Sequence, residues 1–306
     1  MSGADAKVKA TIDLAIERVL KVYGSWRRDT PIAQMRIDWD RLFWSDAVTS
    51  KTQSVSANGV DALWVEAPGV DTDRVLVYFH GGGFKLGSVR SHRDLMARIS
   101  GAANCRVLGL EYRLAPEHRF PAPIEDAVAA YRWLLKQGTA GDRIAFAGDS
   151  AGGGLAISAM FALREQRLPL PAAAVLLSAW TDLTAESKSY QTRAQADPIH
   201  QRPMIIATAR NYLGDRGDPR DPLASPLFGD LTGLPPVLLQ VGDRETGLDD
   251  SHRFAEKARD AGVEVRVEVY NGMIHVFQQF PEILPEASQA IDSIGRFLQG
   301  IWSHSR

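Results

Sequence analysis

The segment Ala147-Gly148-Asp149-Ser150-Ala151-Gly152-Gly153 constrains this chain more than any other. An apolar run, Arg143 to Ala147, enters it, and a small-residue stretch from Ala151 to about Arg164 leaves it as a helix. A strand turning at once into a helix, with Gly-x-Ser-x-Gly at the corner, is the nucleophile-elbow pattern, which exposes a serine hydroxyl at the edge of a sheet. The turn is strained, so small residues must flank the serine, and the helix N-terminus beside it favours negative charge. A serine that only caps its helix reads the same over five residues. Composition yields about 0.14 such pentads by chance, so the surrounding chain has to decide.

That chain alternates. Apolar strand-like runs at Ala62–Glu66, Arg74–Phe79, Cys105–Glu111, Arg143–Ala147, Ala173–Leu177 and Val237–Val241 are interleaved with helical patterns. The helical patterns run from Ser91 to about Ala103, from about Ile124 to Gln137, from Asp249 to Ala261 and from Pro285 to about Gly300. Alternating β and α implies right-handed crossovers and a mostly parallel sheet with helices on both faces, an α/β fold. Ligands then bind at the carboxyl ends of the strands, where Ser150 sits. Val263, Val265, Val267 and Val269 alternate with charged residues, as in a strand near a sheet edge.

Two stretches fall outside the alternation. Val8, Ile12, Leu14, Ala15, Val19, Leu20 and Val22 recur at helical spacing, and Trp26, Phe43 and Trp44 follow, as core of a small helical element or as pocket wall. Residues 181–222 contain a polar stretch, an amphipathic helical pattern at Arg202–Tyr212 and a Gly/Asp/Pro-rich loop. The expected division is 1–45 as an N-terminal helical segment, 46–180 with 223–306 as the α/β domain, and 181–222 as an insertion over the strand ends.

A net charge of −2 with scattered Arg and Lys argues against a nucleic-acid partner or an acidic membrane surface. The one cysteine, Cys105, excludes an intrachain disulfide and offers no zinc-ligand spacing, so no metal is expected, and it reads as a small buried hydrophobe. No stretch approaches 18 consecutive apolar residues, and Met1–Lys9 lacks an apolar signal core, so a cytoplasmic location is the expectation.

A serine hydroxyl is a weak nucleophile at neutral pH; it needs a base, an acid that orients the base, and donors aimed at a developing oxyanion. After an elbow the partners follow in the order acid, then histidine. That order leaves His252, His275 and His304: His304 is nearly terminal, His252 falls inside a helical pattern, and His275 follows the last strand and the Asn271-Gly272 turn. His275 is the base these criteria select. The acid should follow Val237–Val241, where spacing leaves Asp243 and Glu245 equal, while Asp249 and Asp250 serve the next helix N-terminus. Donors come from His80-Gly81-Gly82-Gly83, a tetrad that chance supplies only about 0.004 times, and whose glycines expose backbone N–H groups. Ala151 adds the N–H after the serine. His80 and Asp149 read as groups that fix their loops, as do Arg113 and Glu117.

With the residues in place, a resemblance is plain. His80-Gly81-Gly82-Gly83-Phe84, Tyr112-Arg113-Leu114-Ala115-Pro116-Glu117, Gly148–Gly153, Ser225-Pro226-Leu227, Leu234-Pro235-Pro236 and Met273-Ile274-His275 resemble the hormone-sensitive-lipase-like branch (family IV) of the α/β-hydrolases, in consistent order from about 60 to 300. The resemblance implies a cofactor-free carboxylesterase for short- to medium-chain acyl esters, with Ser150 as nucleophile, His275 as base, and Gly82, Gly83 and Ala151 as oxyanion donors. It also implies that 1–45 and 181–222 form a helical cap. The family commonly has an Asp nine residues after the Pro-Pro pair; here that position holds Glu245, which matches by place and departs by type.

Phe84, Trp180, Leu183, Met204, Ile205, Val276 and Phe277 are candidate pocket walls. The substrate expected is a small-molecule ester; an amide, carbamate or lactone would share the same intermediate, and a ligand-binding protein on this fold would typically have lost the base that His275 supplies. A homodimer through the edge strand at 263–269 is a further expectation from the family and the alternating valines.

Overall fold

In the computed structural model the backbone is described for residues 3–45 and 47–304, and side chains for 11–45 and 47–303. Two helices come first, α1 (Gly3–Ser25) and α2 (Ile32–Phe43). Strands β1 (Lys51–Ala57), β2 (Val60–Glu66) and β3 (Val75–Phe79) follow, then α3 (Arg93–Ala103), β4 (Arg106–Leu110), α4 (Ala122–Lys136), β5 (Ile144–Asp149), α5 (Ala151–Glu165) and β6 (Ala174–Leu177). The insertion contributes α6 (Ser189–Thr192) and α7 (Arg202–Leu213). The chain closes with β7 (Val237–Gly242), α8 (Leu248–Asp260), β8 (Val265–Tyr270) and α9 (Pro285–His304).

The strands form one sheet in the order β1-β2-β4-β3-β5-β6-β7-β8. The two pairings that involve β2 are antiparallel, and every pairing from β4 to β8 is parallel. Central strands are apolar on both sides because helices cover both faces: every residue of β3 (Val-Leu-Val-Tyr-Phe) is buried. One face packs against α4, α5 and α8, with Phe146 set edge-on to Phe79 and Tyr131 at 5.1 and 5.4 Å between ring centres. The other packs against α3 and α9, whose Ile294, Leu298 and Trp302 are fully buried on Leu76, Tyr78 and Val107.

Several boundaries differ from the sequence expectation. β1 was not expected at all: Lys-Thr-Gln-Ser-Val-Ser-Ala is polar and mostly exposed, because it pairs at a sheet edge where neither face needs to be apolar. Arg143 belongs to a single 3₁₀ turn before β5 rather than to the strand. The helix expected from Ser91 begins at Arg93, since the Ser91 hydroxyl is tied into the preceding turn with Ser88. β8 is an edge strand as its alternation implies, though it spans 265–270 rather than 263–269.

The apolar stripe of α1 is Ile12, Ala15, Ile16 and Val19, all buried against Phe277, Phe280, Leu284 and Ala287, whereas Leu14 and Leu20 face outward. Val8 and His304 lie outside the described side chains. The N-terminal helix is thus bound to the segment that carries the last strand end. No described helix is long and apolar enough to cross a membrane.

Candidate active site

All parallel strands end on one side, so the turns after β3, β5, β6, β7 and β8 converge. Ser150 follows β5 with φ 50° and ψ −119°, a left-handed backbone for a non-glycine residue. The surroundings over-determine it: its N–H donates to Leu177 O (2.9 Å), and its carbonyl accepts from Trp180 N–H (2.8 Å) and Gly153 N–H (3.1 Å). The turn must be this tight because α5 starts directly on β3. A Cβ on Gly152 would collide with the Phe79 carbonyl oxygen, so only glycine allows this approach.

The turns after β7 and β8 carry Glu245 and His275. Glu245 Oε2 lies 2.8 Å from His275 Nδ1. Its other oxygen, Oε1, accepts from Ser178 Oγ (2.7 Å) and Gly242 N–H (2.5 Å), so the carboxylate is fully used although 1% exposed. Ser178 Oγ also accepts from Val276 N–H (3.0 Å), tying the turn after β6 to the residue next to His275. Asp243, the other candidate acid, is committed elsewhere: its Oδ1 accepts from Gly272 N–H at 2.7 Å. The longer side chain reaches His275 and the shorter one braces the Asn271-Gly272 turn.

Burial alone would lower the His275 pKa; the hydrogen bond and charge of Glu245, with the more distant Asp197 and Asp149, outweigh it and raise it above 6.5. His275 Nε2 is buried and has no hydrogen-bond partner among the described residues. Ser150 and His275 line the same cavity.

The loop after β3 is fixed at both ends. Gly81 N–H donates to Asp149 Oδ1 (2.9 Å), Tyr112 Oη to His80 O (2.6 Å), and the His80 ring stacks on Tyr112 at 4.3 Å. Burial, then the neighbouring His92, push His80 down to about 3, so it stays neutral and serves the loop. Asp149 also accepts from Tyr78 Oη (2.9 Å) and sits 3.2 Å from His92 Nε2. Beyond the glycines, Gly82 O accepts from Leu86 N–H (2.9 Å), Phe84 O from Ala115 N–H (2.8 Å) and Lys85 O from Arg36 Nε (3.0 Å). Gly82 has φ +113°, which an L side chain rarely adopts. Among the described residues the N–H groups of Gly82 and Gly83 donate to no protein acceptor, and both glycines line the cavity. Ala151 opens α5, where the first backbone N–H groups have no intrahelical acceptor.

The cavity holds about 360 Å³. Of the candidate pocket walls, Trp180, Met204, Ile205 and Val276 line it. Phe84, Leu183 and Phe277 do not. Phe84 is 3% exposed and stacked on Tyr212 at 3.8 Å, Leu183 is buried in the core, and Phe277 packs on Tyr270 beneath α1. Trp26 and Phe43 prove to be cavity wall, joined by Tyr23 and Trp39, while Trp44 is 42% exposed and lines no part of the cavity.

Sequence reasoning also missed His200, in the insertion, whose ring lies 4.0 Å from that of His275. Burial, then the His275 charge, hold His200 well below 6.5. Its backbone is anchored by Asp197, which accepts from His200 N–H (2.9 Å) and from Thr246 N–H (3.1 Å). No motif marks a lone histidine there; only the fold brings it to the base.

Residues 76–279 match the family model of the alpha/beta hydrolase fold. The chain is 42% identical to an acetyl-hydrolase of Streptomyces hygroscopicus over 292 residues, covering 95% of this chain and 97% of the relative. It is 40% identical to an esterase of Acinetobacter venetianus over 224 residues, 73% of this chain and 74% of that one. Among solved structures, an esterase from the bacterial hormone-sensitive lipase family superposes with a TM-score of 0.91 at 45% identity, over 96% of this chain and 98% of that one. EstE5, in a crystal soaked with p-nitrophenyl butyrate, superposes at 0.89 with 40% identity, over 96% and 98% of the two chains. The chain belongs to the α/β-hydrolase family, in the group of bacterial hormone-sensitive-lipase-like esterases.

Proposed function

We propose that this carboxylic ester hydrolase cleaves short- to medium-chain acyl esters through an acyl-enzyme on Ser150. The observation that carries the reading is the Glu245–His275 contact of 2.8 Å beside a cavity that Ser150 also lines, with His275 Nε2 unpartnered among the described residues. Ser150 Oγ attacks the ester carbonyl carbon as Nε2 takes its proton. The carbonyl π bond opens to an oxyanion, which Gly82, Gly83 and Ala151 N–H groups bind. The C–O bond to the alcohol breaks, and the alcohol leaves with the proton from Nε2. Water then repeats the sequence on the acyl-enzyme, and the acid departs. Glu245 holds the imidazole by Nδ1 and stabilises its cation.

A cavity of about 360 Å³ lies at the small end of ligand sites, which supports substrates of modest chain length. Helices α1, α2 and α7 contribute Val19, Trp39 and Met204 to its wall, and we read Gly3–Phe43 with the 181–222 insertion as a cap that keeps water from the oxyanion. Ser150→Ala tests the reading with p-nitrophenyl acetate and butyrate. Turnover should fall to background in a protein with unchanged circular dichroism, and retention of a tenth of the activity would overturn the assignment.

A further inference from the structure

The cavity offers an imbalance of hydrogen-bonding groups beyond the reacting residues. Two carboxylates line it, and both are spoken for. Asp149 is held by Tyr78, Gly81 and His92, and Asp250 by Ser187 and Tyr190. Most neutral polar groups are likewise committed: Thr208 Oγ1 donates to Met204 O (2.9 Å), Thr246 Oγ1 to His200 O (2.8 Å) and Trp180 Nε1 to Asp182 O (3.0 Å). Apart from His200 Nδ1, which is also buried without a hydrogen-bond partner among the described residues, the unpartnered buried groups of the lining outside the reacting residues are donors. Trp39 Nε1 and Gln279 Nε2 are buried without a partner among the described residues, and a buried donor left unpaired costs stability until a ligand accepts from it.

The strongest donor is Lys85, two residues past Gly83 and half-buried on the cavity wall. Its ammonium has no ion pair or hydrogen bond among the described residues. The adjacent cation, Arg36, has its charge met by Glu117 at 2.7 Å. Burial, then the Arg36 charge, lower the Lys85 pKa, a shift that an anion bound at the ammonium would oppose. A cation left unpaired in the same cavity as the reacting residues, whose described lining has no free carboxylate, attracts an anion and repels a cation.

We propose that Lys85 is a specificity-determining residue that binds a carboxylate on the substrate, so that half-esters of dicarboxylic acids are preferred over neutral esters of the same length. This rests on the Ser150 reading for the chemistry and adds the charge of the substrate. The ester bond is placed at Ser150 while the free carboxylate pairs with the Lys85 ammonium; the hydrolytic steps are unchanged.

The test compares monoethyl esters of succinate, glutarate and adipate with ethyl esters of matched length lacking the carboxylate. The wild-type enzyme, Lys85→Met and Lys85→Arg are measured by kcat/KM. The expected result is a wild-type preference for the half-esters that falls at least tenfold in Lys85→Met and is retained in Lys85→Arg. In the wild-type enzyme the preference should also shrink as ionic strength rises from about 0.01 to 0.5 M, because salt screens a partly exposed charge pair. No preference in the wild type, or equal losses for both ester series in Lys85→Met, would overturn the proposal. So would equal loss in Lys85→Arg. Neutral p-nitrophenyl acetate run alongside separates the two readings: continued turnover that depends on Ser150 leaves the acyl-enzyme mechanism standing when the charge preference fails.

Discussion

Replacing Glu245 by Gln isolates the contact on which the catalytic reading depends. The carboxylate sits 2.8 Å from Nδ1. At an effective dielectric of about 20 the attraction between that carboxylate and the imidazolium formed in the transition state is about 332/(20 × 2.8) ≈ 6 kcal/mol. At 1.36 kcal/mol per decade, that sets a ceiling of about four decades in rate. A second effect acts in the same direction: an amide that donates to Nδ1 leaves the proton on Nε2, which then cannot accept from Ser150. We therefore expect kcat to fall by about 10³ to 10⁴ with KM little changed. The pH profile provides a further sign. On the proposed mechanism activity needs neutral His275, so kcat/KM of the wild-type enzyme should be lost as pH falls through a pKa above 6.5. Glu245 is what raises that pKa, so the residual activity of Glu245→Gln should have its acid limb at lower pH. Asp243→Asn is the control: an Asn oxygen can still accept from Gly272 N–H, and the cost should stay within about tenfold. Steady-state kinetics on p-nitrophenyl butyrate from pH 5 to 9 measures all of this. A larger loss in Asp243→Asn than in Glu245→Gln, or an acid limb that does not move, would refute the reasoning.

Arg36 reaches from α2 to Lys85 O (3.0 Å), Ala115 O (3.0 Å) and Glu117, and so tethers the far end of the glycine loop. Arg36→Ala should lower kcat about tenfold with a smaller effect on KM, and guanidinium in the assay should partly restore it, because in the proposed mechanism the loop's donors act on the oxyanion rather than on the ground state. Trp302, fully buried beneath the sheet, should cost about 3–5 kcal/mol when replaced by Ala, read as a lower urea midpoint with the catalytic constants of the folded fraction intact. Cys105 is fully buried, and burial pushes its thiol well above the usual range; iodoacetamide should leave it unlabelled, and activity unaffected, until the protein is denatured.

What could be read from the sequence was whatever depends on backbone geometry and order. Gly82 and Gly152 are legible because no other residue fits a left-handed turn or a helix pressed against a strand end. The order of Ser150, Glu245 and His275 is legible because each follows a strand of a parallel sheet. Which of Asp243 and Glu245 contacts His275 was not, since both follow β7 and only side-chain length and direction separate them. β1 was missed because a polar edge strand leaves no apolar signature. Phe84, Leu183 and Phe277 were assigned to the pocket, and Tyr23, Trp39 and His200 were not, because apolar type and local period say that a side chain is buried without saying against what. Nothing in the sequence singles out Lys85, because whether a cation is paired depends on the fold around it.

The most direct measurement is the site of covalent modification by a reagent that mimics the acylation step. Diethyl p-nitrophenyl phosphate, added in slight excess, transfers its diethylphosphoryl group to an activated serine and expels p-nitrophenolate. Trypsin then cuts after Arg143 and Arg164, and tandem mass spectrometry of the 144–164 peptide distinguishes Ser150 from the buried Ser158 in the same fragment. The account predicts one equivalent of label, on Ser150, with activity lost in proportion. His275→Ala should label far more slowly. Label on any other residue, or full inactivation with Ser150 unmodified, would contradict it.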